Sequence, residues 1–369
     1  MELQLDLTKT YAIALESGGA RGAYQVGVWQ ALEETGVRYN AVSGTSVGAL
    51  NGALMAMRDL PRAVEIWSDI RLSSVMALSE EEESGMRRIL RGDVGLDDVQ
   101  ELWPKVKDVI RNRGLDAAPL REWVRSVVDP KKLRDSDVEL FVSTVDLNEK
   151  KGLEVRVSEL PEEEVCDMLL ASAYHPAFKL EPLGGKLYTD GGFVDALPLH
   201  ALVEAGYRDI IAVRLPSHGR EKHFRLPKDV CVTTVKPNAD LGGSLDFDGE
   251  QSRKNMALGY FDAKRVLYGL YGRSYYIDRS FTDRFALDWL LRRETEAGEA
   301  NLRKICEDKL PRLARKLDAK DGDYYELMVA VMELLAAEKG LEPLKIYSDA
   351  DLLRLLETEQ SVILPENRS

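Results

Sequence analysis

The sequence predicts an α/β fold built around a central, mostly parallel sheet, and three observations carry that prediction. Short apolar runs of strand length alternate with helical stretches over residues 11 to 57 and again over 138 to 213. Most strands in these regions lead into a helix through a loop, where a hairpin would lead into another strand. The strand ends collect glycines and hydroxyls, the residue types that tight strand-to-helix corners need.

Length and composition set the outer bounds. A chain of 369 residues is long enough for two or three average domains, or for one large α/β domain with appendages. With 44% apolar and 31% charged residues it can bury a core, and it has no uncharged apolar run of the length a membrane span requires. The start, Met1 to Leu7, shows neither a basic n-region nor an apolar h-region, so a cytoplasmic location is expected. Cys166, Cys231 and Cys306 are widely spaced, unlike metal-ligand pairs, and read as core thiols. A net charge of -13 argues against a nucleic-acid partner, which would need a basic face.

Tyr11 to Leu15 is the first strand, followed by Glu16-Ser17-Gly18-Gly19-Ala20-Arg21-Gly22 and a helix over Ala23 to Glu34. A glycine loop at a helix N-terminus leaves N–H groups free to hold a phosphate or a developing oxyanion. A dinucleotide site would want Gly-x-Gly-x-x-Gly and an acid ending the second strand. Here Ser17 occupies the first glycine position and the second strand, 39 to 43, runs into Gly44-Thr45-Ser46-Val47-Gly48. That Gly-x-Ser-x-Gly run, with helical spacing from Ala49 to Met57 behind it, fits a nucleophile elbow with Ser46 at the corner; an ordinary structural turn fits the same letters. Strands 11 to 15 and 39 to 43 are expected to be parallel neighbours, which brings both loops to one carboxyl edge.

From Pro61 to about Lys132 the alternation stops, and a polar helical lobe with scattered large apolar residues is expected to be inserted over the sheet edge. Glu80 to Glu83 reads as a solvated face, the region of Gly92 and Gly95 as a loop, and the apolar positions as core, with a lid as the secondary reading. The rhythm returns with a strand over Val138 to Val145, an edge strand over Leu153 to Val157, and a helix opened by Pro161 that stops before Pro176. Asp190-Gly191-Gly192 then ends a short strand, followed by a helix over Leu199 to Ala205 and a buried strand over Asp209 to Val213. An Asp-Gly-Gly turn and a functional Asp190 are both compatible with that pattern.

Taken jointly, the glycine loop with Arg21, the elbow at Ser46 and the Asp190 turn, in this order and each at a strand end, resemble the patatin-like phospholipase family. Ala171-Ser172-Ala173, the Leu197-Pro198 pair and Leu241 to Phe247 before a helix carrying Gly259-Tyr260 add to the likeness, which covers roughly residues 8 to 275. Ser17 and Ala196 depart from it, the latter standing where many members carry Asn. The resemblance implies a three-layer α/β/α fold, and with the residue patterns it divides the chain into an acyl hydrolase domain over 1–280, carrying the helical lobe at 61–132, and a helical extension over 281–369.

The resemblance also implies a lipid acyl hydrolase, a phospholipase, lysophospholipase or carboxylesterase, working through a Ser46–Asp190 dyad and an acyl-enzyme. Gly18, Gly19 and Ala20 are the expected oxyanion donors, and Ser17, Arg21, Gly22, Gly44, Gly48, Gly191 and Gly192 the supporting motif. Arg21 is expected to brace the loop. The physical chemistry agrees, since a serine hydroxyl needs a base and a carboxylate serves if burial lifts its pKa. This chemistry requires no metal or organic cofactor, and none is expected. The expected partner is a lipid or fatty acyl ester, with peripheral contact at a membrane surface. Acyl transfer or thioester hydrolysis on the same site, and a non-catalytic lipid-binding protein of the same fold, are the alternatives. Addition of alcohol acceptors separates the first, and an unreactive Ser46 the second.

A Ser-His-Asp triad also uses such an elbow. Of the four histidines, His218 and His223 lie in a polar loop, His200 in a predicted helix, and His175 before the acid, as a packing or pocket residue. Beyond Tyr276, helices are expected over 283–296, 298–318, 323–339 and 349–357; the second is basic on one face and interrupted by Pro311. A solvated face over a packed stripe is preferred there to membrane binding.

Overall fold

A computed structural model describes residues 1–77, 114–217 and 219–357. The charge run at Glu80 to Glu83, the glycines at 92 and 95 and the middle of the inserted lobe lie outside the described residues, as does His218. The described chain forms two compact units: residues 6–263, and residues 264–369 together with 1–5.

The larger unit is a seven-stranded mixed sheet with helices on both faces. In chain order it contains β1 (Thr10–Leu15), α1 (Ala23–Thr35), β2 (Arg38–Thr45), α2 (Val47–Ala56), α3 (Leu60–Asp69), α4 (Ala118–Val127) and α5 (Pro130–Arg134). There follow β3 (Glu139–Asp146), β4 (Lys151–Arg156), α6 (Glu162–Ser172), β5 (Tyr188–Asp190), α7 (Leu199–Glu204), β6 (Asp209–Val213), β7 (Cys231–Val235) and α8 (Gly249–Tyr268), within which the division between the units falls. The strand order is β4-β3-β2-β1-β6-β7, with β5 also paired to β3. All pairings among β3, β2, β1, β6 and β7 are parallel, while β4 and β5 run antiparallel to β3.

Burial on both faces explains why the central strands read as continuous apolar runs. Ala12 and Ala14 of β1 join Ala41, Phe141, Ile210 and Ala212 in a cluster with Ala201 and Leu202 of α7. The opposite face carries Leu15, Val42 and Leu140 beneath Gly52 of α2, where a Cβ would meet their methyls at 3.0 to 3.8 Å. The parallel pairing of β1 with β2, Leu15 opposite Gly44, brings the two following loops to one carboxyl edge as the sequence implied. β7 was not foreseen, because its burial is partial and its alternation weak.

β1 is the topological switch point, with β2 on one side and β6 on the other. In open α/β sheets the loops leaving such a strand and its neighbour diverge and open a crevice. Here the loop after β1 and the loop after β6 are tied beneath that crevice by Glu16, whose N–H donates to Val213 O at 3.1 Å and whose carboxylate accepts from the Leu215 amide at 2.7 Å and the Ser217 hydroxyl at 2.9 Å.

The smaller unit contains β8 (Tyr276–Asp278), α9 (Asp283–Glu296), α10 (Leu310–Lys316), α11 (Tyr324–Glu338), β9 (Ile346–Ser348) and α12 (Asp349–Glu357). The two strands pair in parallel, an element too short to register as a pattern. Its core includes Trp289, Tyr325, Met328 and Met332. Asp323 caps α11 by accepting from the Glu326 amide at 2.9 Å. Pro311 does not break the basic segment; a helical turn at Leu302–Lys304 continues through a π turn at Ile305–Lys309 into α10. A proline lacks an N–H and clashes with the carbonyl four residues back, and the wider π turn relieves both faults. The basic face is neutralised locally: Arg303 pairs with Glu307, Lys304 with Glu299, Lys309 with Glu294 and Arg312 with Asp308, over buried Ile305, Leu310 and Leu313.

Candidate active site

Ser46 stands between β2 and α2 with φ 56° and ψ -125°, a conformation that L residues rarely adopt. Such a position stores on the order of 1–3 kcal/mol of strain and persists only where the surroundings enforce it. The enforcement is visible at both flanking glycines. A Cβ on Gly44 would lie 2.2 Å from Gly48 O, and one on Gly48 would lie 2.4 Å from Leu15 O. The Ser46 carbonyl accepts the amides of Ala49 and Leu50 at 2.9 and 3.2 Å, starting α2, and its own N–H donates to the Ser172 hydroxyl at 2.9 Å.

Asp190 reaches the same corner through strand geometry. β2 pairs with β3 as far as Thr45 opposite Ser143, and then leaves into α2. β5 takes the vacated place beside β3 from the opposite direction, with Asp190 opposite Thr144. The ends of β2 and β5 thus face each other against consecutive residues of β3, which brings Ser46 and the Asp190 carboxylate together on one cavity. Gly191 permits this junction, since a Cβ there would lie 2.3 Å from Ser143 O. The Gly192 amide donates to Asp190 Oδ1 at 2.8 Å, and the Asp190 amide donates to Tyr174 O at 3.0 Å.

Burial raises the Asp190 pKa above the ordinary carboxylate value, against the opposing pull of the Ser46 hydroxyl, the Gly192 amide and the nearby His175. A carboxylate so placed is a stronger base than one in water. Among the described histidines only His175 lines the cavity with Ser46 and Asp190. His200 instead bonds Glu154 and Glu204 through its two ring nitrogens at 3.3 and 3.0 Å, and His223 is exposed.

The glycine loop lines the same cavity. Gly19 has φ +59°, and a Cβ on it would lie 2.1 Å from Ser244 O. The N–H groups of Gly18 and Gly19 have no hydrogen-bond partner among the described residues. Ala20 corrects the expectation of a third donor: its N–H already donates to Ser244 O at 2.8 Å, so it fixes the loop and is not free for a ligand. Arg21 braces the loop as expected, with Nε donating to Gly242 O at 2.7 Å and Nη1 to Pro216 O. The Ser17 amide donates to Ala196 O at 2.9 Å, and Ala196 N donates to Arg220 O at 2.6 Å, so the backbone at Ala196 supports the turn without the side chain that an Asn would supply. Gly22 packs where a Cβ would meet Val47 and Trp67, and its carbonyl accepts from Asn51, which also holds Trp67.

These groups open onto a cavity of about 510 Å³. Its apolar wall includes Trp67, Ile70 and Met76, with Leu120 and Trp123 of α4, so the described parts of the inserted lobe are both core and cavity lining. Ser172, Glu16 and Ser244 emerge as supports that no single-residue signal marks in the sequence; Ser172 and Ser244 lay in stretches noted only for likeness. Glu154, His200 and Glu204 lie close enough to share a cation, but Lys222 Nζ already occupies the cluster, 3.1 Å from Glu154 and 3.2 Å from His200.

Comparison with known proteins bears on this geometry. A family profile described as patatin-like phospholipase matches residues 13–203, just over half of the chain. Patatin-like phospholipase domain-containing protein 7 of Rattus norvegicus is 26% identical over 206 residues, 56% of this chain and 14% of its own length. Lysophospholipase nte1 of Aspergillus terreus is 52% identical over 48 residues, 13% of this chain and 3% of its own. The chain therefore spans a small fraction of these curated relatives. Among solved structures, VipD from Legionella pneumophila aligns over 90% of this chain and 85% of its own with a TM-score of 0.39 and 13% identity. The profile match contains the glycine loop, the elbow and the Asp190 turn together, and the chain belongs to the patatin-like phospholipase family.

Proposed function

We propose that this protein is a serine acyl hydrolase that cleaves a fatty acyl ester of a lipid through a Ser46–Asp190 dyad. The observation that carries the reading is the strained Ser46 beside a carboxylate of raised pKa, both lining one largely apolar cavity. Family membership and the lysophospholipase name of one relative support the lipid ester as substrate.

In this reading Asp190 takes the Ser46 proton as Oγ attacks the ester carbonyl. The negative charge that develops on the carbonyl oxygen is met by the free N–H groups of Gly18 and Gly19, each worth roughly 3–4 kcal/mol in comparable sites. Collapse breaks the ester bond, and Asp190 returns the proton to the departing alkoxide. Water then enters and attacks the acyl carbonyl as Asp190 accepts its proton; the bond from the acyl carbon to Oγ breaks, and Asp190 returns that proton to Oγ, leaving fatty acid and free Ser46. The acyl chain lies along Trp67, Met76 and Leu120 while the ester sits at the polar end. The protein meets its lipid as a peripheral protein at a membrane surface.

Labelling with a fluorophosphonate, followed by peptide mass spectrometry, tests the reading. Modification of Ser46 that is lost in Asp190→Asn is the expected result; an unreactive Ser46 in folded protein would overturn it and leave a lipid-binding role.

A further inference from the structure

Four serines line the cavity, and their hydroxyls are placed differently. Ser46 is the proposed nucleophile. Ser217 donates to Glu16 Oε1 at 2.9 Å, so its hydroxyl is committed to the tie between the loops after β1 and β6. Ser244 is half-buried and holds the glycine loop through its carbonyl. Ser17 is only 7% exposed, yet its hydroxyl makes no hydrogen bond among the described residues. A polar group buried to that extent normally has a partner, because leaving it unpaired costs stability.

The neighbours of Ser17 show where such a partner would sit. Its backbone N–H donates to Ala196 O at 2.9 Å, which sets it against the segment that follows the Asp190 turn. A Cβ on Gly192 would stand 3.1 Å from Ser17 Oγ and 3.1 Å from Asp190 Oδ1. The two oxygens do not bond each other, yet they lie within a span that one water molecule can bridge, and a side chain at Gly192 would crowd that space. Ser17 stands where the family resemblance expects a glycine, so the hydroxyl belongs to this chain and not to the motif.

We propose that Ser17 Oγ and the Asp190 carboxylate together hold the water that hydrolyses the acyl-enzyme, and that Ser17 thereby favours water over alcohols as the acyl acceptor. This rests on the reading of Ser46 and Asp190 as an ester-cleaving dyad. Water donates one O–H to Asp190 and the other to Ser17 Oγ, which leaves an oxygen lone pair for the acyl carbon. As the new C–O bond forms, Asp190 takes the first proton, and the second stays on the product acid. The bond from the acyl carbon to Ser46 Oγ breaks, and Asp190 passes its proton to that oxygen. An alcohol has a single O–H to give, so it can donate to Asp190 but not to Asp190 and Ser17 together. Ser17 is thus a positioning residue, acting through the water and not on the ester.

The test is the partition of one acyl-enzyme between two acceptors. The full chain is given p-nitrophenyl butyrate in buffer with a fixed concentration of methanol, and butyric acid and methyl butyrate are measured by gas chromatography. Ser17→Ala and Ser17→Gly should each raise the ratio of methyl ester to acid about tenfold, the effect of losing one hydrogen bond to the water. Fluorophosphonate labelling of Ser46, which uses no water, should keep its wild-type rate. The Tm should not fall, because no hydrogen bond within the protein is lost. An unchanged or lowered ratio in the folded variants would overturn the proposal. A wild-type protein that neither labels at Ser46 nor cleaves the ester would remove the dyad reading and this inference with it, whereas labelled Ser46 with an unchanged ratio removes this inference alone.

Discussion

Ser46 donates its backbone N–H to the hydroxyl of Ser172 at 2.9 Å, and that hydroxyl in turn donates to Ser143 O at 2.6 Å. Ser172 is fully buried at the end of α6, so one side chain ties the strained corner to the strand against which Asp190 is registered. Ser172→Ala removes the acceptor and leaves a buried N–H unpaired, a loss of about 1–3 kcal/mol. We expect a lower Tm and a fall in kcat larger than any rise in KM, with slower fluorophosphonate labelling of Ser46. Unchanged labelling in a destabilised variant would limit Ser172 to a structural role.

The dyad and a triad make opposite demands on histidine. Ser46→Ala and Asp190→Asn should each reduce ester hydrolysis to background, since losing a general base costs about 10² to 10⁴ in rate. His175→Gln, His200→Gln and His223→Gln should each retain a tenth or more. His175 is the informative one because it lines the cavity beside Asp190. Steady-state rates on a soluble ester decide it, and a folded His175→Gln as inactive as Asp190→Asn would restore the triad.

At Gly19 the sequence alone suggests a substitution that harms turnover far more than folding. The close approach to Ser244 O at 2.1 Å, together with φ +59°, changes that expectation. A Cβ there must displace backbone, so Gly19→Ala should lose stability as well as rate. Gly48→Ala should do the same, given the 2.4 Å approach to Leu15 O. Thermal melts beside rate measurements check both, and a Gly19→Ala variant with wild-type Tm would show that the loop can shift freely.

Burial raises the Asp190 pKa, and the base works only when ionised, so kcat/KM should climb with pH through a limb lying above the usual carboxylate range. The reverse sign applies to stability. A folded carboxyl of raised pKa binds more protons than the unfolded chain between the two values, so stability falls as pH rises through that window.

Asp195 gives a separate reading of that rule. It is buried, its Oδ2 has no hydrogen-bond partner, and burial pushes its pKa up to about 6 from 3.8. Asp195→Asn should therefore raise the Tm at pH values above about 6 and lose that advantage below about 4. Melting curves at the two extremes measure it, and an advantage equal at both would refute the titration account.

Much of the site was legible because its chemistry coincides with backbone constraint. Gly44 and Gly48 are glycines for steric reasons, and Asp190 ends a strand, so sequence letters and geometry report the same fact. The state of the Ala20 amide was not legible: whether it is free depends on Ser244, more than two hundred residues away, and no local pattern encodes that pairing. The same holds for Ser172, which looks like an ordinary helical serine until its partner at Ser46 is known. Short parallel partners such as β8 and β9 escape because three residues carry too little periodicity to register. The basic segment around Pro311 reads as interrupted because proline usually ends a helix, and the π turn that absorbs it has no sequence signature.

The bond from Ala20 to Ser244, with that from Arg21 to Gly242, has a consequence for where the catalytic unit ends. All three motifs lie before residue 204, yet the loop that presents Gly18 and Gly19 is clasped from beyond residue 240. β6, the neighbour of β1 on its far side, also lies past residue 203. A fragment cut at 203 would keep every signature residue and lose both the clasp and half the pairing of β1, leaving that strand as a bare apolar edge open to other chains. Possession of the motifs in a genome fragment or a domain graft is thus not possession of this loop geometry, whose clasp needs the chain as far as Ser244.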